Sequence, residues 1–175
     1  LGSETTDTFY KAINTVFPSL IRVEADEVTY NLHIMLRFEL EQDMIAGKIR
    51  IQDLPEEWND RMESWLGVRP SKDSDGVLQD IHWSLGAIGY FPTYALGNLM
   101  STQLFNAAKK AIPDLDAKTA QGDFSALLDW LRTNVHQHGR RKTAGQILLD
   151  ATGSELSSES WMHYAQSKFG ELYGF

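Results

Sequence analysis

The chain has 175 residues, 42% of them hydrophobic and 11% aromatic, and carries a formal net charge of −8. That length suits one domain with a real core, while the acidic balance argues against a nucleic-acid groove, which needs a basic footprint. With no cysteine in the sequence, disulfides, thiolate metal sites and cysteine nucleophiles are excluded, and a reducing cytoplasm fits. No apolar run approaches the ~20 residues that span a bilayer, so no membrane association is expected. Leu1-Gly2-Ser3 offers neither an initiating methionine nor a charged-then-apolar leader, and the sequence reads as a piece of a longer protein.

The periodicity is helical nearly throughout. Thr5-Thr6-Asp7 caps a first helix with Phe9, Ile13 and Val16-Phe17 at helical spacing, stopped by Pro18. A longer helix is predicted from about Asp26 to Ala46, with Val28, Leu32, Met35-Leu36 and Leu40 on its apolar side and Gly47 as its left-handed stop. Tyr30, His33 and Arg37 share its other face, read first as solvated or as a polar contact to chain outside this sequence, and second as a stripe facing a site. Ile49-Arg50-Ile51 is the one stretch with a faint strand character. Asp53-Leu54-Pro55-Glu56 supplies a cap, a first-turn proline and acids for a helix ending at Gly67.

Beyond Pro70, Ser71 to Gly76 is a polar turn. Pro92-Thr93 opens a helix reaching about Ile112, closed by Pro113. The next runs from about Asp123 to a stop at Gly139. Thr143 to Gln146 matches a capping box for a short helix to Ala151, and Ser157 to Tyr173 forms the last, with Trp161, Tyr164-Ala165 and Phe169 as its buried stripe. The whole reads as one all-α domain without internal repeats.

Chemistry concentrates in Gly76-Val77-Leu78-Gln79-Asp80-Ile81-His82-Trp83 and on through Gly89-Tyr90-Phe91-Pro92-Thr93-Tyr94. An amide, an acid, an imidazole and an indole sit beside flexible glycines, where binding groups are often carried. The bland reading is a buried turn whose polar groups satisfy neighbouring backbone. His82, Tyr90 and Tyr94 are donors of the kind that stabilise a developing oxyanion. Asp80 can orient His82 or hold its proton, although the spacing leaves that open. Arg22, just before the long helix, is followed by Glu24, Asp26 and Glu27. Acids favour a helix start through the macrodipole; alternatively, a guanidinium fixed there can fork onto a carboxylate. The basic run His136 to Lys142 reads as cations beside a helix C-terminus, since histidines two apart on a helix face apart.

The run G-V-L-Q-D-I-H-W resembles the G-x-x-Q-D-x-H-W signature of the thermostable carboxypeptidase (carboxypeptidase Taq) family of zinc metallocarboxypeptidases. Ile21-Arg22-Val23-Glu24-Ala25-Asp26 resembles a second family signature, I/V-R-x-x-A-D, and the two fall in the family's order. The similarity extends through Gly139-Arg140-Arg141 to Glu171-Leu172-Tyr173-Gly174 and so covers essentially residues 1–175. The resemblance implies that these residues form the C-terminal, all-helical segment of a larger zinc-peptidase catalytic domain. It implies an activity that releases C-terminal amino acids from peptides, and a homodimer. It assigns Arg22 to the substrate carboxylate, with Gln79 and Asp80 as further substrate-binding candidates. By analogy with similar helical zinc peptidases, His82 and Tyr94 are the oxyanion donors, with Tyr90 the alternative tyrosine.

In the family, zinc is held by H-E-x-x-H and a downstream glutamate, an i, i+4 pair that puts two imidazoles on one helix face. None of the five histidines here (His33, His82, His136, His138, His163) has that context. No metal ligand is expected in this chain, and the segment is expected to be inactive alone. Two rival readings are a non-catalytic helical interaction module and a hydrolase built on Asp80, His82 and Ser84. The latter lacks a nucleophile-elbow motif.

Overall fold

The computed structural model describes residues 5–175, which form eight α-helices and, among the described residues, no strand. The expected all-helical class is therefore found. The chain divides into two compact units, one closing at Ala95 and one running from Leu96 to Phe175.

In the first unit, α1 (Thr6–Ile13) starts at its expected cap, with the Thr5 hydroxyl accepting the Thr8 N–H at 3.1 Å. It stops short of Pro18 because side chains take over its last carbonyls: the Asn14 amide donates to Tyr10 and the Thr15 hydroxyl to Ala12. The helix α2 (Tyr30–Ile45) begins later than Asp26. The reason lies in Asp26 itself, whose carboxylate accepts the Val28 and Thr29 N–H groups (2.8 and 2.9 Å), the Thr29 hydroxyl (2.7 Å) and the Phe17 N–H (3.1 Å). That arrangement is a local Asx-type turn which competes with helix and sets its start. Val28 and Met35 do not join the buried stripe; the buried face of α2 is His33, Ile34, Leu36, Arg37, Leu40 and Glu41. The solvated face expected for His33 and Arg37 is thus corrected, since both side chains are fully buried.

Ile51–Asp53 is a 3-10 turn rather than extended chain, and α3 (Leu54–Leu66) follows with proline in its first turn and Gly67 in the left-handed region at φ 70. Asp53 pairs with Arg50 instead of capping α3. Leu36 and Leu40 of α2 pack with Leu54, Trp58, Met62 and Leu66 of α3, and Ile49 and Val77 close this core. A buried leucine, methionine or tryptophan contributes about 1.5–3 kcal/mol each by removal from water. The α2–α3 pair is therefore a rigid base, and Trp83 packs against it from outside.

The helix α4 (Pro92–Ala111) carries the chain from one unit into the next. In the second unit, α5 (Leu115–Ala120) has no counterpart in the sequence reading. Its six residues contain one large apolar anchor, fully buried Leu115, so no period could reveal it. The next helix, α6 (Ser125–Asn134), ends before Gly139 because the Asn134 amide donates to the Trp130 carbonyl, and a 3-10 stretch covers His136–Arg141. The expected capping box is present in α7 (Ala144–Thr152), with Thr143 and Gln146 bonded reciprocally. Buried Gln103 of α4 then pins the turn into α8 (Glu159–Tyr173): its amide donates to the Glu155 carbonyl (2.9 Å) and its oxygen accepts the Ser157 N–H (3.0 Å). No helix among the described residues is long and apolar enough to cross a membrane.

Candidate active site

The site is built entirely within the first unit, from a 3-10 turn at Arg22–Glu24, α2, Trp58 of α3, the first turn of α4, and the glycine-bearing turns from Gly76 to Tyr90. Those turns are not helical. Left-handed Gly86 and Gly89, at φ 71 and 79, reverse the chain where a side chain would be strained.

Asp80 is the centre. Its Oδ1 accepts from Arg22 Nε and Nη2 at 3.0 and 2.6 Å, and its Oδ2 accepts from Arg37 Nε at 2.6 Å. The side chains of Arg22, Arg37 and Asp80 are only 7%, 0% and 10% exposed. Gln79 locks the same group together. Its oxygen accepts the Arg22 backbone N–H (2.8 Å) and Arg37 Nη2 (2.9 Å), while its amide donates to the Leu20 and Asp75 carbonyls (2.9 and 3.0 Å). Every hydrogen-bonding site of Gln79 is therefore filled from within. Arg22 Nη1 also donates to the Tyr30 hydroxyl at 3.0 Å, and Arg37 Nη1 to the His33 carbonyl at 2.8 Å. Aromatic faces receive both guanidiniums: Arg37 lies 4.5 Å from the Trp58 ring centre and Arg22 5.1 Å from that of Tyr94.

Two arginines share one carboxylate, and burial decides how each responds. For Arg37, burial dominates and Asp80 offsets it only in part, so its pKa falls to about 10. For Arg22, burial also pulls downward, but the hydrogen bond and charge of Asp80 outweigh it and the pKa lies above its usual value. Burial would raise Asp80; the two guanidiniums overcome that and hold it below the ordinary carboxylate range. His33, beneath this group, has neither ring nitrogen bonded and is pushed down to about 4, first by burial and then by the charges of Arg37 and Arg22. It is a neutral core histidine at pH 7.

Next to the charged group stands an aromatic cluster. His82 Nε2 lies 3.0 Å from the Tyr94 hydroxyl, and His82 Nδ1 lies 3.9 Å from Asp80 Oδ1, beyond hydrogen-bond range. Phe91, buried, packs on the imidazole with ring centres 4.3 Å apart, and Tyr90 stands 5.6 Å from it, half exposed. Trp83 is tied down separately. Buried Glu41 accepts its indole N–H at 2.8 Å and the Gly89 N–H at 3.1 Å, which anchors both ends of the turn to α2.

All six residues singled out from the sequence, Arg22, Gln79, Asp80, His82, Tyr90 and Tyr94, fall in this one region. Arg22, Gln79 and Asp80 bond to one another as a framework; His82, Tyr90 and Tyr94 form the ring cluster beside it. Ser84, exposed, donates to the Ile81 carbonyl at 2.8 Å. Tyr30, Arg37 and Glu41 belong to the site but carried no signal beyond polar residues spaced by three or four along α2, and Trp58 of α3 carried none beyond its place on an apolar helix face. Among the described residues, no three acids or histidines gather as a metal-binding group.

This fold recurs in solved metallocarboxypeptidases. The whole chain aligns with 35% of the M32 carboxypeptidase from Deinococcus radiodurans R1, at TM-score 0.96 and 48% identity. In sequence it is 45% identical over 169 residues to thermostable carboxypeptidase 1 of Pyrococcus furiosus, covering 97% of this chain and 34% of that protein. It is 44% identical over 174 residues to thermostable carboxypeptidase 1 of Thermus thermophilus, covering 99% and 34%. The family model described as carboxypeptidase Taq (M32) metallopeptidase matches residues 2–169. The chain belongs to that family, and it spans about a third of the length of the curated relatives it matches.

Proposed function

We propose that residues 1–175 form the C-terminal, substrate-side segment of the catalytic domain of a zinc-dependent metallocarboxypeptidase that releases C-terminal amino acids from peptides. The observation that carries this reading is the hydrogen-bonded His82–Tyr94 pair, seated on a charged framework with Tyr90 exposed at its edge. Donors held at such a position lower the barrier when negative charge builds on a scissile carbonyl oxygen. Tyr94 is the first candidate for that donor, His82 its partner and Tyr90 the alternative.

The role of Arg22 follows from its bonds. It contacts a substrate carboxylate poorly as a free fork, being committed to Asp80 and Tyr30. Its guanidinium is a fixed positive charge beside the Tyr94 ring, and that position supports electrostatic recognition of a free C-terminus. The zinc of the complete enzyme is assigned to residues outside this chain, since no histidine here stands in an H-E-x-x-H context. The cysteine-free composition supports a cytoplasmic setting.

In a complete enzyme carrying this segment, Tyr94→Phe is expected to lower kcat by roughly 100-fold with a smaller change in KM. Arg22→Ala is expected to weaken peptides with a free C-terminus more than amidated ones; equal effects on both would refute the electrostatic role. The 175-residue chain alone is expected to release no amino acids from a short peptide and to retain no zinc after dialysis, and zinc-dependent release would overturn the assignment. A second reading, a non-catalytic interaction module, is favoured by the exposure of Leu78, Ile81 and Leu85, at 70%, 67% and 73%. It predicts self-association through these side chains, which also bears on the homodimer implied by the resemblance.

A further inference from the structure

We propose that Asp80 is the positioning residue for His82. It holds the neutral imidazole with its proton on Nδ1, so that Nε2 is the acceptor and Tyr94 the donor in the bond between them. Three observations carry this. His82 Nδ1 is buried and has no hydrogen-bond partner, yet it faces Asp80 Oδ1 at 3.9 Å. The ionised carboxylate there can only accept. A ring nitrogen presenting its lone pair to that oxygen would set two acceptors face to face, whereas an N–H presents the favourable end of its dipole. On the other side, Nε2 meets the Tyr94 hydroxyl at 3.0 Å, a group able to donate or accept as the ring requires. The constraint therefore comes from Asp80, and Tyr94 adapts to it.

The arginines set how closely Asp80 can engage. Its Oδ1 already accepts both Arg22 Nε and Nη2, which uses the lone pairs of that oxygen. To reach bonding distance the imidazole must approach by ~1 Å, and Arg22 must yield one of its two contacts on Oδ1. At 3.9 Å the carboxylate orients the ring through its charge alone, with Phe91 packed against it to fix the plane.

The consequence falls on the two tyrosines. With the proton on Nδ1, the phenolic proton of Tyr94 points inward to Nε2, and Tyr94 presents it to a substrate oxygen only by turning away and giving up that bond. His82 and Tyr94 then act as one unit, while the half-exposed Tyr90 stands outside it. This catalytic consequence rests on the function proposed above; the tautomer itself is a property of the chain and is tested without turnover.

The test is long-range 1H–15N NMR of the histidine side chains in the 175-residue chain, at alkaline pH. His82 should show a pyrrole-type Nδ1 and a pyridine-type Nε2. A pyridine-type Nδ1 would overturn the proposal. In Tyr94→Phe, which removes the partner of Nε2 and leaves Asp80 in place, the proton should stay on Nδ1. A switch of the proton to Nε2 would show that Tyr94 sets the tautomer, and would equally overturn it. Failure of either spectrum leaves the peptidase reading standing, and loss of that reading leaves the spectra unchanged.

Discussion

Arg37→Met is the sharpest test of how this site is held together. Methionine keeps most of the buried stem, so packing is largely retained while the guanidinium is lost. The variant gives up the 2.6 Å bond to Asp80, the 2.9 Å bond to Gln79 and the 2.8 Å bond to the His33 carbonyl, along with the contact to Trp58. Arg37 is 0% and Asp80 10% exposed, so solvent cannot replace what is lost. Removing one partner of such a buried pair costs about 3–5 kcal/mol. Set against a total stability of about 5–15 kcal/mol, that is a large share. The corresponding fall in melting temperature for a chain of this size is ~6–20 °C. Thermal unfolding followed by tryptophan fluorescence and far-UV circular dichroism measures it, with Arg50→Met as the control. Arg50 pairs with Asp53 at the surface, where the two side chains are 72% and 40% exposed, and its loss should leave the midpoint unmoved. If Arg37→Met is no more destabilised than Arg50→Met, the buried charge group is not what secures the Gly76–Tyr90 turns.

Three further outcomes come from the same geometry. His33, held neutral at about 4 against an ordinary value near 6.5, makes stability complete above pH ~6.5 and draws it down by ~3 kcal/mol as pH falls toward 4, because the unfolded chain takes the proton first. Asp80, whose pKa is depressed, adds a second loss only below the ordinary carboxylate range; His33→Leu should remove the first phase of an acid-unfolding curve and leave the second. Glu41→Gln replaces one acceptor with a donor facing either the Trp83 indole or the Gly89 N–H, at a cost of ~1–3 kcal/mol, and should speed hydrogen exchange at Gly89; unchanged protection there would refute the anchoring role. Thr143→Ala breaks the capping box of α7 and should cost ~1 kcal/mol, read as a lower helix content near the melting midpoint.

What the sequence determined was local. Helix starts and stops that depend on a cap, a proline or a left-handed glycine, such as Thr5, Pro55, Gly67 and the Thr143–Gln146 box, were legible because their physics is complete within four residues. The two signatures likewise marked residues that come together, since Arg22, Gln79 and Asp80 bond to one another and His82 stands beside them. Tertiary structure alone decided what those residues touch. Arg22 and Asp80 stand 58 positions apart, so nothing in either motif could reveal that they bind each other. Nor could periodicity tell that Arg37 and Glu41 face inward: on an isolated helix a polar stripe looks solvated, and it becomes a core only when Asp80, Gln79, Trp83 and Gly89 arrive from a distant turn to satisfy it. The start of α2 shows the same limit at short range, because the Asp26 carboxylate outcompetes helix for two backbone N–H groups that the apolar pattern does not see.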